Sequence, residues 1–217
     1  ECQIEALYKV GAMLYRGIGC KKRNLFEAKK FLSLASEYKH VDAQAELSYL
    51  LYEIGDFKNA ITFASVASEG GNPYAQILYA QLCRDGLIQD KDFKQSIAYL
   101  KNAESKGIVE ASFILGKLYE DDLNENSKSF QCYLNSALKN NKESQYKTGL
   151  MFLEGTNSSA NKRDFVQALK YFKCASNIKE KEHKCRSSIH SFYYYDLNLT
   201  NFNEDENLAL PNNKNMK

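Results

Sequence analysis

Ala111-Ser112-Phe113-Ile114-Leu115-Gly116-Lys117-Leu118-Tyr119 is the stretch that decides the fold. It opens on alanine and places a small residue, Gly116, five positions later. The same opening recurs along the chain. Its first rungs are Ala6, Ala43, Ala75, Ala111 and Ser144, and five residues after each stand Gly11, Ser48, Ala80, Gly116 and Gly149. Each copy then carries an aromatic rung, Phe31, Phe63, Tyr99, Tyr133 or Tyr171, followed four residues on by Ala35, Ala67, Ala103, Ala137 or Ala175. The first rungs lie 37, 32, 36 and 33 residues apart. A period in this range is the mark of an array of helical hairpins.

Within each copy the apolar residues fall at helical spacing on two segments. In the first copy Leu7, Val10 and Leu14 form one stripe, Gly17 and Gly19 break the chain, and Leu25, Ala28, Phe31, Leu32 and Ala35 form the second. Small residues at Gly11, Ala28 and Ala35 let two helix axes approach to roughly 8–10 Å. Phe31 is then expected to fill the space beside them. The second copy turns on Gly55, with Asp56 as a helix cap. The third turns at Gly86 and stops at Gly107. The fourth has a polar loop, Asp121 to Ser127, without glycine, and the fifth a long loop from Gly155 to Asp164.

The composition agrees. Only 2 of 217 residues are proline, fewer than a sheet-and-turn fold needs, while 44% are hydrophobic. A net charge of +2 from 29 basic and 27 acidic residues argues against a general nucleic-acid binder. No run of about 18 apolar residues is present, so no membrane-spanning helix lies in the chain. The six cysteines, Cys2, Cys20, Cys83, Cys132, Cys174 and Cys185, show no CxxC pair and read as small apolar residues. Cys174 and Cys185 are the one pair that could bridge. The compartment stays open, with unpaired cysteines leaning towards a cytoplasmic setting.

These rungs resemble the Sel1-like repeat, a relative of the tetratricopeptide repeat. The stretch from Ala111 to Tyr119 is similar to the family's A-xxx-L-G-xx-Y opening, as are Ala6, Val10, Gly11 and Leu14, and Ser144, Thr148, Gly149 and Phe152. Arg16-Gly17-Ile18-Gly19-Cys20 resembles the family's loop, and Gln167 to Ala175 its second helix. The second copy departs most and looks closer to a tetratricopeptide repeat. The resemblance implies an all-α, right-handed α/α superhelical solenoid. Five copies are expected, over about 3–40, 41–72, 73–108, 109–141 and 142–180, with a capping helix over 181–196 and a polar tail over 197–217. The start at Glu1, inside a helical pattern, suggests further repeats upstream.

What the resemblance implies about function is an adaptor that holds a protein or peptide partner, with no cofactor and no metal. By analogy with tetratricopeptide architecture, the first helix of each hairpin lines a concave face. The residues expected there are Tyr8, Ala12 and Tyr15, then Tyr49 and Tyr52, then Tyr74, Ile77, Gln81 and Arg84, then Phe113, Lys117 and Glu120, and finally Tyr146, Leu150 and Leu153. Tyrosine suits recognition because it offers area at little entropic cost.

Two rival readings are weighed against this one. The first is an enzyme of β-lactamase or penicillin-binding type, prompted by S-x-x-K at Ser36 to Lys39, Ser136 to Lys139 and Ser176 to Lys179. All three end a second helix, where lysine suits the helix dipole, and no S-D-N or K-T-G accompanies them. The second is a segment of an endoplasmic-reticulum degradation adaptor, for which the sequons at Asn157 and Asn198 and a Cys174–Cys185 bridge would speak. His183, Cys185 and His190 lack four-ligand metal spacing.

Overall fold

The computed structural model describes residues 2–19, 22–88, 93–156 and 162–176. Every regular element among them is helical. Helices α1 (Cys2–Arg16), α2 (Leu25–Glu37), α3 (Val41–Glu53), α4 (Phe57–Glu69), α5 (Pro73–Arg84) and α6 (Phe93–Ser105) belong to a first compact unit, Glu1–Ile114. α7 (Val109–Lys117) crosses the boundary and continues into a π-helical turn, Leu118–Asp122. α8 (Asn126–Leu138), α9 (Lys142–Glu154) and α10 (Phe165–Ala175) belong to a second unit, Leu115–Lys217. The expected capping helix and tail, with His183, Cys185, His190 and the sequon asparagines, lie outside the described residues.

The sequence places caps where the helices begin. Asn24, Asp56, Asn72, Asn141 and Asp164 each accept a backbone N–H of the first turn through the side chain. His40 does the same for α3 through Nδ1, at 3.1 Å from the Ala43 nitrogen. Helix ends commonly close on a left-handed residue. Glycine supplies it at most of them, but Lys39, Asn124 and Asn140 supply it after α2, the π-helical turn and α8. Asn124 explains how the fourth copy turns without glycine, since asparagine tolerates this conformation better than most residues.

In the first unit, α2 lies between α1 and α3, and Ala28, Leu32 and Ala35 share a core with Ala43, Leu47, Leu50 and Leu51. α4 repeats the arrangement, Ala64 packing with Leu78, Tyr79 and Leu82 of α5. The second unit has its own core of Ala168, Phe172 and Ala175 against Tyr146, Leu150, Phe152 and Leu153.

The small rungs have specific partners. A Cβ on Gly11 would lie 2.8 Å from Leu32, one on Gly116 2.7 Å from Tyr133, and one on Gly149 2.7 Å from Phe172. This corrects two expectations. Leu32, not Phe31, seats on Gly11. Tyr133 does not share the half-buried place of Phe31, Phe63 and Tyr99. Its ring is fully buried on Gly116, one register step away, where Leu32 and Phe172 sit in their own hairpins. Its hydroxyl donates to Glu120 at 2.7 Å, and Lys147 meets both oxygens of Glu120 at 3.0 and 2.8 Å, which ties the π-helical turn to α8 and α9. Val10 is a third correction. Expected on the buried stripe, it is 42% exposed.

Candidate functional site: a tyrosine-lined cleft

Tyr8 on α1, Tyr49 on α3 and Tyr74 on α5 come together around a cleft of about 370 Å³ in the first unit. Their positions follow from helix periodicity. Tyr8 and Tyr49 stand beside the buried stripes of α1 and α3, so neither ring belongs wholly to the core. Tyr74 follows Pro73, which opens α5, and is 55% exposed. The Tyr49 hydroxyl donates to the Tyr74 carbonyl at 3.1 Å and bridges α3 to α5. Tyr8 stacks on His40, with ring centroids 4.8 Å apart. The Nε2 of that imidazole pairs with Glu5 at 3.0 Å.

Polar residues complete the wall. Arg16 pairs with Glu46, joining α1 to α3. Asn72 caps α5 through its side-chain oxygen and donates its amide to Asp42 at 2.8 Å. The hydroxyls of Tyr8 and Tyr49 are held protonated. Burial is the main cause at both Tyr8 and Tyr49, reinforced by Glu46 and Asp42 for Tyr8 and by Glu110 for Tyr49. These groups act as hydrogen-bond donors and aromatic surfaces at neutral pH, not as bases.

The other expected face residues fall differently. Tyr15 is engaged within the protein. Arg23 lies 4.9 Å over its ring, donates to its carbonyl at 2.6 Å, and forms a bidentate pair with Glu53 at 2.9 and 2.7 Å. Burial and the neighbouring Glu53 push the Tyr15 phenol up to about 12. Tyr52 packs edge-on against Phe57 and borders the core. Gln81 and Phe113 are half-buried, and Arg84 pairs with Asp85. Ala12 and Ile77 are buried. Lys117 and Tyr146 belong to the second unit, where Tyr146 leans on Phe172 at 5.7 Å and Leu150 and Leu153 join the same core. Glu120 is taken by Lys147 and Tyr133.

Sequence reasoning missed Arg16, Asp42, Glu46 and Asn72. Asp42 precedes the first rung Ala43 as Tyr74 precedes Ala75, and that shared register was the available signal. Ser36 and Ser136 of the S-x-x-K hits are buried, and Ser36 and Ser176 donate their hydroxyls to the carbonyls of Ser33 and Lys173 three residues back. Among the described residues no three metal-ligating side chains come together, and no helix is long and apolar enough to cross a membrane.

Helix pairs stacked in register, with small rungs seated on the large residues of the partner helix, define a helical-repeat protein. Three of the five copies read in the sequence are Sel1 repeats. Residues 4–37, 73–108 and 142–177 match the Sel1 repeat model, and the chain is a Sel1-repeat protein. The second and fourth copies read in the sequence fall outside the matched segments. Over 78 residues the chain is 35% identical to protein NMB1327 of Neisseria meningitidis serogroup B, a match covering 36% of this chain and 16% of that protein.

Two solved structures share the fold. The protective antigen c5321 of uropathogenic Escherichia coli aligns with TM-score 0.75 and 22% identity over 88% of this chain and 41% of its own. A Sel1 repeat protein from Oxalobacter formigenes aligns with TM-score 0.70 and 23% identity over 88% and 78%. The chain therefore spans under half of the E. coli antigen and about a sixth of the meningococcal protein.

Proposed function

We propose that this protein is an adaptor that binds a partner protein through the tyrosine-bearing face of its first helices, centred on the cleft between α1, α3 and α5, and performs no chemistry of its own. The observation that carries this reading is the meeting of Tyr8, Tyr49 and Tyr74, from three successive first helices, around one open cleft. An extended peptide or a partner helix is the kind of ligand that such a row accommodates. The fold supports the reading in general terms, since helical-repeat arrays present broad surfaces and each repeat contacts chiefly its neighbours. The serine hydroxyls spent on their own helix carbonyls support the absence of a nucleophile. Residues Tyr15, Tyr52, Gln81, Arg84 and Phe113 extend the proposed face within the first unit, and Lys117 and Tyr146 mark the same register in the second.

The test is capture on immobilised protein followed by mass spectrometry, in parallel on wild type and on Tyr8→Ala/Tyr74→Ala. Proteins retained by wild type and lost from the folded double variant are the expected result. An identical set on both proteins overturns the assignment of this face.

A further inference from the structure

The cleft carries more acid than base, and that imbalance selects among the segments a tyrosine face can hold. Its charged walls are Asp42, Glu46 and Arg16. Arg16 is engaged by Glu46. Asn72 meets only Oδ1 of Asp42, and no donor reaches Oδ2 among the described residues. The surrounding charges lean the same way. Glu110 acts on Tyr49 with the same sign as the cleft carboxylates. Of the nearby cations, Arg23 is matched by Glu53 and Lys9 by Glu5, while Lys106 is held on the Gly71 carbonyl at 2.6 Å, outside the residues that line the cleft. Tyrosine rings add negative faces, which attract cations held within about 6 Å. The volume of about 370 Å³ lies at the low end of the range for ligand clefts, roughly 300–1,000 Å³, so it suits one long side chain rather than a folded surface.

We propose that this cleft takes the cationic side chain of a basic peptide segment, arginine in preference to lysine, with the charge against Asp42 and the stem along the rings of Tyr8 and Tyr74. Arginine is preferred because its planar guanidinium stacks on an aromatic ring while forking onto a carboxylate, whereas an ammonium acts as a point charge. This proposal rests on the adaptor reading and narrows it to a class of partner.

The experiment uses three pools of displayed peptides of about a dozen random residues, alike except that two fixed positions hold arginine, glutamine or glutamate. Each pool is selected on the wild-type chain, on Asp42→Asn and on Tyr74→Ala. Circular dichroism and thermal melts confirm that the variants fold. Tyr74→Ala keeps the backbone carbonyl that receives the Tyr49 hydroxyl, so it removes the ring alone. The expected result is enrichment of the arginine pool over the glutamate pool by about tenfold or more on wild type, falling to about threefold or less on Asp42→Asn, with weaker retention on Tyr74→Ala. Equal enrichment of all three pools, still lost on Tyr74→Ala, overturns the cationic assignment while leaving the adaptor face standing. If no pool is retained in a manner that depends on Tyr74, both readings fall.

Discussion

The outer face of α1 and the matching face of α3 carry the same stripe and meet opposite fates. Val10 and Met13 on α1 are 42% and 43% exposed, while Leu47 and Leu50 on α3, four and seven residues past the same rung, are 1% and 0% exposed. Ala6 is exposed and Ala43 is fully buried. The sequence is nearly as apolar in one helix as in the other. The difference is that α2 lays Ala28, Leu32 and Ala35 over the α3 face, and no described helix does so for α1. Amphipathic pattern therefore declares which face a repeat helix would bury. Whether that face is core depends on the neighbour.

The largest test of this comparison is Leu47→Ala. Leu47 is 1% exposed and packed in the core with Ala28, Leu32 and Ala35, so the substitution is expected to cost roughly 2–5 kcal/mol in urea-induced unfolding followed by circular dichroism. A cost under about 1 kcal/mol would mean that α2 does not hold α3 as described.

Next in size is Gly11→Ala. The new methyl would sit 2.8 Å from Leu32 Cγ and 3.1 Å from the Leu32 backbone nitrogen, and the latter cannot swing away. A helix gains about 1 kcal/mol from alanine over glycine. Overpacking of roughly 1–3 kcal/mol outweighs it, leaving a net loss of about 1 kcal/mol. The same register in α3 and α4 pairs Ser48 with Ala64, both buried and both small. In a double-mutant cycle, adding Leu32→Ala should therefore abolish the cost of Gly11→Ala. Additive costs would show that the Gly11–Leu32 approach is not the constraint.

The hairpin architecture was legible because its signals are local: small rungs five residues past an alanine, Asn and Asp caps, and glycines at helix ends. The seating of the large residues was less so. Phe31 and Leu32 are adjacent, and only three-dimensional stacking decides which meets Gly11. A one-residue change in the second helix moved Tyr133 inward against a rung pattern that sequence spacing had matched to Phe31. Of the cleft, Tyr8, Tyr49 and Tyr74 were readable as residues beside the stripe. Asp42, Glu46, Arg16 and Asn72 were not, because a charge on a helix surface looks the same in sequence whether it is solvated or walls a cleft.

The second unit sharpens the comparison with a smaller effect. On α9 the place of Leu47 is taken by Thr148, fully buried, its hydroxyl without a partner among the described residues. Ser144 is in the same state. An orphaned buried hydroxyl costs about 1–3 kcal/mol, whereas an apolar isostere removes that penalty. Thr148→Val is thus expected to stabilise the protein by about 1 kcal/mol, read as a higher urea midpoint at unchanged slope. Destabilisation would mean that the hydroxyl has found a donor or acceptor in solution.

The smallest expected effect is the most discriminating. Val10→Ala/Met13→Ala trims the exposed face of α1 at the positions that Leu47 and Leu50 occupy on α3. Little apolar area leaves the core, because over two-fifths of each side chain already meets solvent. Alanine is the stronger helix former, which returns part of what is lost. The net change should stay within about 0.5 kcal/mol, the range of ordinary surface substitutions. A cost approaching that of Leu47→Ala would show that the α1 face is covered in solution as the α3 face is covered by α2, and would erase the contrast between the two helices. Repeating the measurement at two protein concentrations then separates the sources of such a cover. A cost that grows with concentration points to a second copy of the chain, and a constant one to a segment of the same molecule.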